Sequence, residues 1–327
     1  MVRDWKAVQK FLNRYNRFLI TTHLNPDGDA LGSELAVAYY LQHTGKHPVI
    51  LNASPTPNQY QFLDADNQIR QYDPDEHGRE VKNCDAAIIL DLSDWRRLDN
   101  VGDAIQKLDL PRICIDHHLN GEQLGNPQVI DETASSTGEL VYDYLKSANA
   151  EITKKIAEAL YTCILTDTGS FRFTNTSPTA HRIVADLIER GADFRKLYQN
   201  VYENVSPGLM KIKGQVLGNL NYECEGGLVW FAITNEMMQQ AGIRRSDLEG
   251  FAEMPREISG VQISLMFSET EDGKVKMSAR SKGKIEVNGL ASKFSGGGHK
   301  FAAGAVFNLP LAEVVKAVLP EAIKLFS

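Results

Sequence analysis

The residues best suited to chemistry lie near the start of the chain, between residues 21 and 33. They are His23, Asp27 and Asp29, which place one imidazole and two carboxylates within seven residues. The segment follows the apolar run at 18–20 and precedes a helical pattern. We therefore predict that it joins a strand to a helix, at the sheet edge where α/β proteins bind ligands. The three side chains have the same parity and point to one side of an extended chain. This arrangement indicates a site for metal ions or phosphate, although Asn-Pro-Asp-Gly is also ordinary turn chemistry.

Further acids and histidines follow later elements. They are Asp91 at the end of a strand predicted over 85–91, Asp116, His117 and His118 at the end of a strand predicted over 112–118, and Asp167 after a helix predicted over 152–166. Because the carboxyl ends of parallel strands share one edge of a sheet, we expect these side chains to converge with the first segment. Each one alone has a simpler interpretation, as a helix cap, a turn residue or a packed core histidine.

A cluster of this composition predicts two divalent metal ions. Carboxylate oxygens combined with imidazole nitrogens suit Mn²⁺, with Mg²⁺ or Co²⁺ as alternatives. So many carboxylates at one site would repel each other without cations, and a single metal ion would not use them all. Two metal ions about 3.5–4 Å apart would use them, with one aspartate bridging the pair.

The overall composition limits the classes of function. A chain of 327 residues is long enough for two domains, and no apolar run approaches the roughly 20 residues of a membrane helix. The first residues are charged and lack a signal-peptide core, so we expect a cytoplasmic protein with no membrane partner. The cysteines, Cys84, Cys114, Cys163 and Cys224, lack Cys-x-x-Cys spacing and are expected to be buried free thiols. The net charge of −7 at pH 7 argues against long duplex nucleic acid and favours short anionic substrates.

Hydrophobic periodicity predicts an α/β protein whose N-terminal domain is a doubly wound parallel sheet with helices on both faces. Its strands are expected at 18–20, 47–51, 85–91 and 112–118, its helices at 5–17, 30–42, 140–145 and 152–166, and a loop at 52–62. Residues 178–220 are predicted to be helical, with breaks near 191 and 207. A smaller C-terminal α/β domain with a mixed sheet follows, with strands at 228–234, 261–267, 274–280 and 302–309 and helices at 288–294 and 311–326. We expect the active-site cleft to lie between the two domains.

The second domain carries a local basic cluster between residues 280 and 300. Its members are Arg280, Lys282, Lys284, Lys293, His299 and Lys300, and the glycines Gly296, Gly297 and Gly298 lie among them. A run of glycines can expose backbone N–H groups in an anion-binding concavity. A solvated basic face with a flexible turn is the alternative, so these residues alone leave phosphate binding open.

Together these residues resemble the motifs of a known family. His-x-Asn-Pro-Asp-Gly-Asp at 23–29, Asp91, Asp-His-His at 116–118 and Asp167 resemble the four motifs of the DHH phosphoesterase superfamily, and Gly-Gly-Gly-His at 296–299 with Ala-Ala-Gly at 302–304 resembles its associated C-terminal domain. The resemblance covers essentially the whole chain. It is greatest to the stand-alone type that combines oligoribonuclease (nanoRNase) activity with hydrolysis of 3′-phosphoadenosine 5′-phosphate (pAp). We accordingly place a catalytic, metal-binding domain at 1–190, a helical connector at 191–221 and a substrate-binding domain at 222–327.

The resemblance also implies roles for individual residues. One metal ion would be held by His23, Asp27 and Asp91, and the second by Asp29, Asp91, His117 and Asp167, with Asp91 bridging. The implied catalytic residues are Asp91, Asp116 and His118, with Asp116 orienting His117 and His118 lying near the scissile phosphate. The implied substrate-binding residues are Arg280, Ser281, Gly296, Gly297, Gly298 and His299, which would grip a phosphate.

The implied activity is two-metal hydrolysis of short oligoribonucleotides to mononucleotides, with removal of phosphate from pAp as a second activity. A phosphodiesterase for cyclic or linear signalling dinucleotides and an exonuclease for longer single strands are alternatives with the same machinery. An inorganic pyrophosphatase would share the first domain, but the glycine-rich motif favours a second domain that binds nucleotides. A regulatory module that binds nucleotides without cutting them is the non-enzymatic alternative. The preferred substrate, the direction of trimming and the oligomeric state, monomer or homodimer, stay open.

Overall fold

The computed structural model describes residues 3–92, 94–118, 122–248 and 250–326. The chain divides into two compact units, residues 1–204 and residues 205–327. None of the helices in the described part of the chain is long and apolar enough to span a membrane. All four cysteines are free thiols, as predicted, but Cys224 is only half-buried because it begins a short turn of 3₁₀ helix.

The first unit alternates strands and helices. Its helices are α1 (Trp5–Arg14), α2 (Gly28–His43), α3 (Pro74–Lys82), α4 (Asp99–Lys107), α5 (Thr137–Ser147), α6 (Lys154–Asp167), α7 (Pro178–Glu189) and α8 (Phe194–Tyr202). Its strands are β1 (Arg17–Thr21), β2 (His47–Asn52), β3 (Ile69–Gln71), β4 (Ala86–Leu90), β5 (Arg112–Asp116) and β6 (Gln128–Ile130). The strands form one sheet in the order β3-β2-β1-β4-β5-β6, with every pair parallel.

Both faces of this sheet are buried, as the prediction of a doubly wound fold requires. Phe18 and Ile20 of β1 pack into a core with α1, α2, α5, α6 and α7. Leu19, between them, points to the other face and packs against Val81 of α3 and Val101 of α4. All three strand residues are fully buried, which is why the middle of the strand is a continuous apolar run and does not alternate. The predicted fold class is confirmed for this unit.

Two strands and two helices of the first unit were missed. β3 and β6 have three residues each and are only partly buried at the two edges of the sheet, so neither produces an apolar run. α3 and α4 are short and polar, and each buries only two or three residues. Part of the predicted loop at 52–62 is a 3₁₀ helix, Asn58–Leu63.

The second unit is built on a mixed sheet, as predicted. Its helices are α9 (Pro207–Gly218), α10 (Asn235–Ala241), α11 (Asn288–Ser292) and α12 (Leu311–Ile323), and its strands are β7 (Asn221–Glu223), β8 (Leu228–Ile233), β9 (Ile263–Glu269), β10 (Val275–Ser281), β11 (Gly297–His299) and β12 (Ala302–Phe307). The order is β11-β12-β10-β9-β8-β7, in which only β8 and β9 are parallel among the described strands. A core containing Phe267 and Val314 covers one face, and a core containing Met266 and Ile212 covers the other.

Candidate metal centre

Three neighbouring strands position the acids and histidines of the first unit. β1, β4 and β5 lie side by side in parallel, and their carboxyl ends lead to His23, Asp91 and His117. Asp116 is the last residue of β5 and Asp167 is the last residue of α6. The convergence predicted from the strand ends is observed, because ligand atoms from these segments lie within 4.8 Å of one another in three overlapping groups.

His23, Asp27 and Asp91 form the first group. Nε2 of His23 lies 3.5 Å from Oδ2 of Asp91. Nδ1 of the same ring lies 2.9 Å from the backbone carbonyl oxygen of Leu24. A neutral His23 that donates from Nδ1 to this carbonyl keeps the lone pair of Nε2 for a cation, which is the usual way in which proteins orient a metal-binding histidine.

α2 begins at Gly28, two residues earlier than predicted, and this changes how Asp27 and Asp29 are placed. Asp27 caps the helix, since its Oδ1 accepts hydrogen bonds from the N–H groups of Asp29 and Ala30 at 3.0 and 3.1 Å. Asp29 lies in the first helical turn. Asp29 is therefore not in an extended segment, so the shared parity with His23 and Asp27 does not set its direction.

Asp29, His117 and Asp167 form the second group. Nε2 of His117 lies 3.7 Å from a carboxylate oxygen of Asp29 and 3.7 Å from one of Asp167. It also lies 3.6 Å from Oδ1 of Asp91. Three carboxylates thus surround one imidazole nitrogen at distances that leave room for a cation among them.

Asp91 faces both groups. Its Oδ2 is directed at His23 and its Oδ1 at His117. Asp91 follows β4 directly and has a φ of 58°, in the left-handed region that residues other than glycine rarely adopt. This backbone turn directs the nearly fully buried carboxylate into the cluster. One carboxylate with an oxygen toward each group is the arrangement that a bridging ligand requires.

The N-terminus of α5 holds two of these aspartates. The N–H groups of Thr137 and Gly138 donate to the two carboxylate oxygens of Asp29 at 2.7 and 2.9 Å. The hydroxyl of Thr137 donates to Oδ1 of Asp91 at 3.0 Å. A Cβ atom at position 138 would lie 2.2 Å from Cβ of Cys163, so the close approach of α5 depends on glycine there.

Sequence reasoning missed two side chains that position the acids. No functional role was predicted for Thr137, because a hydroxyl at the start of a helix usually serves only to cap that helix. Asn175 was not considered, yet its Nδ2 donates to Oδ2 of Asp167 at 3.1 Å and to the backbone carbonyl of Ser135 at 2.8 Å. The Ser-Ser-Thr-Gly run at 135–138 was an available signal for Thr137, whereas nothing in the sequence around Asn175 distinguishes it from a turn residue.

Asp116 contacts His118 and not His117, which corrects the role expected for it. Its Oδ1 lies 2.7 Å from Nδ1 of His118 and accepts the backbone N–H of the same residue at 3.1 Å. Residues 116 and 118 share parity at the end of β5, so their side chains point the same way. Burial acts to lower the pKa of His118, but the hydrogen bond to Asp116 and the neighbouring carboxylates raise that pKa to about 9. The contact with Asp116 therefore favours the imidazolium form of His118 in the metal-free cluster, and the side chain is 40% exposed.

Three of the acids resist ionisation without a cation. Burial, followed by the carboxylate of Asp91, raises the pKa of Asp27 and raises that of Asp29 well above its usual value. Burial also raises the pKa of Asp167 to about 6, although His117 opposes the shift. Like charges crowded into a desolvated site shift pKa values in this way. Divalent cations would remove the repulsion and stabilise the ionised carboxylates.

Asp91 behaves differently from the other acids. Burial acts to raise its pKa, but the contact with His23 and the charge on the neighbouring histidines hold the pKa below the usual range of a carboxyl. Asp91 is therefore the carboxylate that stays ionised most readily. The donor set as a whole, carboxylate oxygens with imidazole nitrogens in groups that overlap at Asp91 and His117, fits divalent metal ions.

The residues expected to bind substrate lie on β10 and at β11 of the second unit, on either side of β12. Arg280 of β10 is opposite Ala302 of β12, which in turn is opposite His299 of β11. Arg280 and His299 therefore lie in one cross-strand row, about 10 Å apart on the same face. Ser281 is buried, and its hydroxyl oxygen accepts the N–H of Gly283 at 3.1 Å.

The glycine run forms an edge strand rather than a tight concave turn. Gly297 and Gly298 belong to β11 and are exposed. A Cβ atom at Gly296 would lie 2.2 Å from the carbonyl oxygen of Gly304, and Gly298 has a φ of 138°. These two glycines are thus needed for the close packing of β11 on β12. The glycine run does not form the anion-binding concavity that was considered from the sequence.

Comparisons with known proteins agree with both units. Residues 17–164 match the family model described as the DHH family, N-terminal domain, and residues 229–327 match the DHHA1 domain. The chain is 33% identical over 301 residues to the bifunctional oligoribonuclease and PAP phosphatase NrnA of Thermus thermophilus, covering 92% of this chain and 87% of that protein. It is 29% identical over 297 residues to the protein of the same name from Bacillus subtilis, covering 90% of each.

A solved structure confirms the fold over nearly the whole length. An exopolyphosphatase-related protein from Bacteroides fragilis superposes with a TM-score of 0.92 at 29% identity, covering 98% of this chain and 95% of that one. The extent of these matches agrees with the motifs that the acids and histidines form at the strand ends. The chain belongs to the DHH family of phosphoesterases.

Proposed function

We propose that this chain is a two-metal phosphoesterase that hydrolyses short oligoribonucleotides to mononucleotides and removes phosphate from pAp. The observation that carries the proposal is the position of Asp91, whose two oxygens face two groups of carboxylates and imidazoles. The names of the relatives from Thermus thermophilus and Bacillus subtilis support the substrate class.

The proposed ligands are those expected from the sequence. His23, Asp27 and Asp91 would hold one ion, and Asp29, Asp91, His117 and Asp167 the other. We propose Mn²⁺ as the ion, with Mg²⁺ or Co²⁺ as alternatives, because mixed carboxylate and imidazole donors suit it. When bound, such ions lower the pKa of water and neutralise charge on phosphoryl oxygens.

The protein's own groups would then orient and stabilise the reacting phosphate. His118, held by Asp116, is the most exposed of the three histidines in the cluster and would donate to a phosphoryl oxygen when it is protonated. Thr137 and Asn175 would keep Asp91 and Asp167 in position as charge builds up on the phosphate. In the second unit, the row containing Arg280 and His299 would bind a phosphate of the substrate.

The charge distribution supports short substrates. A net charge of −7 at pH 7 disfavours a long polyanion, whereas the basic residues at 280–300 can contact a few nucleotides. The proposed division of labour assigns hydrolysis to the domain at 1–190 and substrate binding to the domain at 222–327, with a connector at 191–221.

A substrate panel at fixed Mn²⁺ tests the proposal. The panel contains a diribonucleotide, a pentaribonucleotide, a strand several times longer, pAp, a cyclic dinucleotide and pyrophosphate. The proposal expects the highest kcat/KM with the two short oligoribonucleotides and measurable release of phosphate from pAp. If the cyclic dinucleotide, the long strand or pyrophosphate is the preferred substrate, the proposed oligoribonuclease activity is wrong and the protein has the corresponding activity instead. Binding without hydrolysis under Mn²⁺, Mg²⁺ and Co²⁺ would indicate a regulatory module.

A further inference from the structure

A carboxylate of the second unit is held by two guanidinium groups. Glu253 lies on a short 3₁₀ helix, Phe251–Glu257. Its Oε1 accepts a hydrogen bond from Nε of Arg280 at 2.6 Å, and its Oε2 contacts Nη1 of Arg256 on the same 3₁₀ helix. Two arginines that share one carboxylate form a seat for an anion, and arginine forks suit phosphate as well as they suit carboxylate.

The surroundings of this seat have more positive than negative charge. Burial and the charges of Arg245 and Arg280 lower the pKa of Lys276, which precedes Arg280 by four residues on β10 and so lies on the same face. In the described part of the chain, Glu253 is the only carboxylate that forms an ion pair with any of these cations or with Arg256. The cluster therefore keeps an attraction for a further anion.

The side chain of Glu253 is exposed enough to be displaced from the two guanidinium groups. Its side chain is 43% exposed, and those of Arg256 and Arg280 are 35% and 30% exposed. Ion pairs with this exposure are weak, because water and salt screen them. A phosphate can therefore compete with Glu253 for the same guanidinium groups.

Glu253 also leaves one donor of the seat unused. Nε of Arg256 is buried and has no hydrogen-bond partner among the described residues. A carboxylate offers two oxygens, whereas a phosphate monoester offers three strong acceptors. A phosphate can therefore take over both guanidinium contacts of Glu253 and still have an oxygen left for a further donor of the cluster.

We propose that Arg256 and Arg280 form a phosphate clamp that Glu253 occupies in the free protein and that a phosphate of the substrate takes over. Arg256 becomes a substrate-binding residue, and Glu253 becomes an internal competitor that lowers the affinity for ligands that bear a phosphate. The inference rests on the proposed function, in which Arg280 binds a substrate phosphate. The clamp formed by Arg256 and Arg280 makes the second unit selective for ligands that bear a phosphate monoester.

Calorimetric titration of the full-length protein with AMP and with adenosine tests this inference. Glu253→Gln removes the competing charge and should bind AMP about twofold to fivefold more tightly than wild type. Arg256→Gln should bind AMP about tenfold more weakly. Neither change should alter the binding of adenosine. Glu257→Gln, which removes a charge from an exposed position on the same 3₁₀ helix, is the matched control and should bind AMP like wild type.

Each outcome decides the inference. Weaker or unchanged AMP binding by Glu253→Gln would show that Glu253 positions Arg280 instead of competing with phosphate. Circular dichroism checks folding, and the double variant Glu253→Gln/Arg256→Gln should bind AMP about tenfold more weakly than Glu253→Gln alone. Turnover of a diribonucleotide by the same wild-type preparation separates the two proposals. Without turnover the proposed function fails, whereas turnover with unchanged AMP affinities in the variants overturns only the clamp.

Discussion

The hydroxyl of Thr137 donates to Oδ1 of Asp91 over 3.0 Å, while the backbone N–H of Thr137 donates to Asp29 over 2.7 Å. One residue at the start of α5 thus fixes a carboxylate from β4 and a carboxylate from α2. This contact requires tight helix packing, because a Cβ atom at Gly32 would lie 2.5 Å from Sγ of Cys163 and one at Gly138 would lie 2.2 Å from Cβ of Cys163. Small residues in α2 and α5 are therefore part of the metal centre, although they carry no ligand atoms.

Replacing Thr137 tests whether this contact matters. Thr137→Val keeps the shape and the backbone N–H but removes the donor to Asp91, so we expect the apparent affinity for Mn²⁺ to fall about tenfold. Thr137→Ser keeps the hydroxyl and should stay close to wild type. The measurement is the Mn²⁺ dependence of turnover. Equal Mn²⁺ affinities for the valine and serine variants would show that the hydroxyl does not position Asp91.

The contact between Asp116 and His118 predicts a change in titration. Asp116→Asn removes the negative charge that favours the imidazolium, so the pKa of His118 should fall from about 9 by at least about one unit. Since an imidazole is charged below its pKa, wild type keeps the cation to higher pH than the variant. Nuclear magnetic resonance titration of the His118 ring, in the presence of a chelator, measures both values. An unchanged titration would mean that Asp116 does not support the charge on His118.

The buried carboxyl of Glu34 predicts a pH-dependent stability. Glu34 is fully buried on α2, and Oε2 accepts the Nδ2 amide of Asn52 at 2.9 Å. Burial, opposed by this hydrogen bond, raises the pKa of Glu34 from 4.5 to about 8. A raised folded-state pKa gives a stabilising contribution that is complete below about pH 4.5 and is lost as the pH rises toward 8.

Glu34→Gln keeps the shape but removes the proton dependence. We expect it to unfold with a free energy close to that of wild type near pH 5 and to be more stable than wild type by at least about 1 kcal/mol near pH 8. Urea denaturation with a chelator present measures both free energies. Glu189→Gln, at an exposed position on α7, is the control and should leave the pH dependence unchanged. A parallel pH dependence in Glu34→Gln and wild type would show that Glu34 ionises normally.

Metal stoichiometry tests the division of the ligands into two groups. Equilibrium dialysis should find two Mn²⁺ ions per wild-type chain. His23→Ala should keep one ion, because His23 belongs only to the first group. Asp91→Ala should weaken both ions, because its oxygens face both groups. One ion per wild-type chain, or loss of a single ion in Asp91→Ala, would contradict the bridging role of Asp91.

The convergence of the acids was predictable because parallel strands impose it. The central residues of β1, β4 and β5 are apolar, and each strand leads within two residues to a side chain with metal-binding potential. Chain direction in a parallel sheet then brings the strand ends together, whatever the connecting elements do. For the same reason the fold class of the first unit followed from its apolar runs, while the short edge strands β3 and β6 gave no such signal.

Contacts between distant segments could not be read from the sequence. The donation from Thr137 to Asp91 joins residues 46 positions apart, and the pairing of Glu253 with Arg280 spans 27 positions. Local patterns also misled where two motifs overlap. Asp29 lies both in a turn-like sequence and in the first turn of α2. The partner of Asp116 was instead expected from the family resemblance, and it depends on how β5 ends. Local propensity specifies neither outcome, since helix starts and strand ends are set by the capping groups and neighbours that they meet.

Turnover of a diribonucleotide with Mn²⁺ by wild type and by Asp91→Ala tests the central claim most directly. Asp103→Ala, an exposed aspartate on α4, serves as the control, and circular dichroism confirms that all three proteins are folded. We predict that wild type and Asp103→Ala release mononucleotides at similar rates and that Asp91→Ala loses turnover by at least about a thousandfold. Hydrolysis by a folded Asp91→Ala at the wild-type rate would contradict the account.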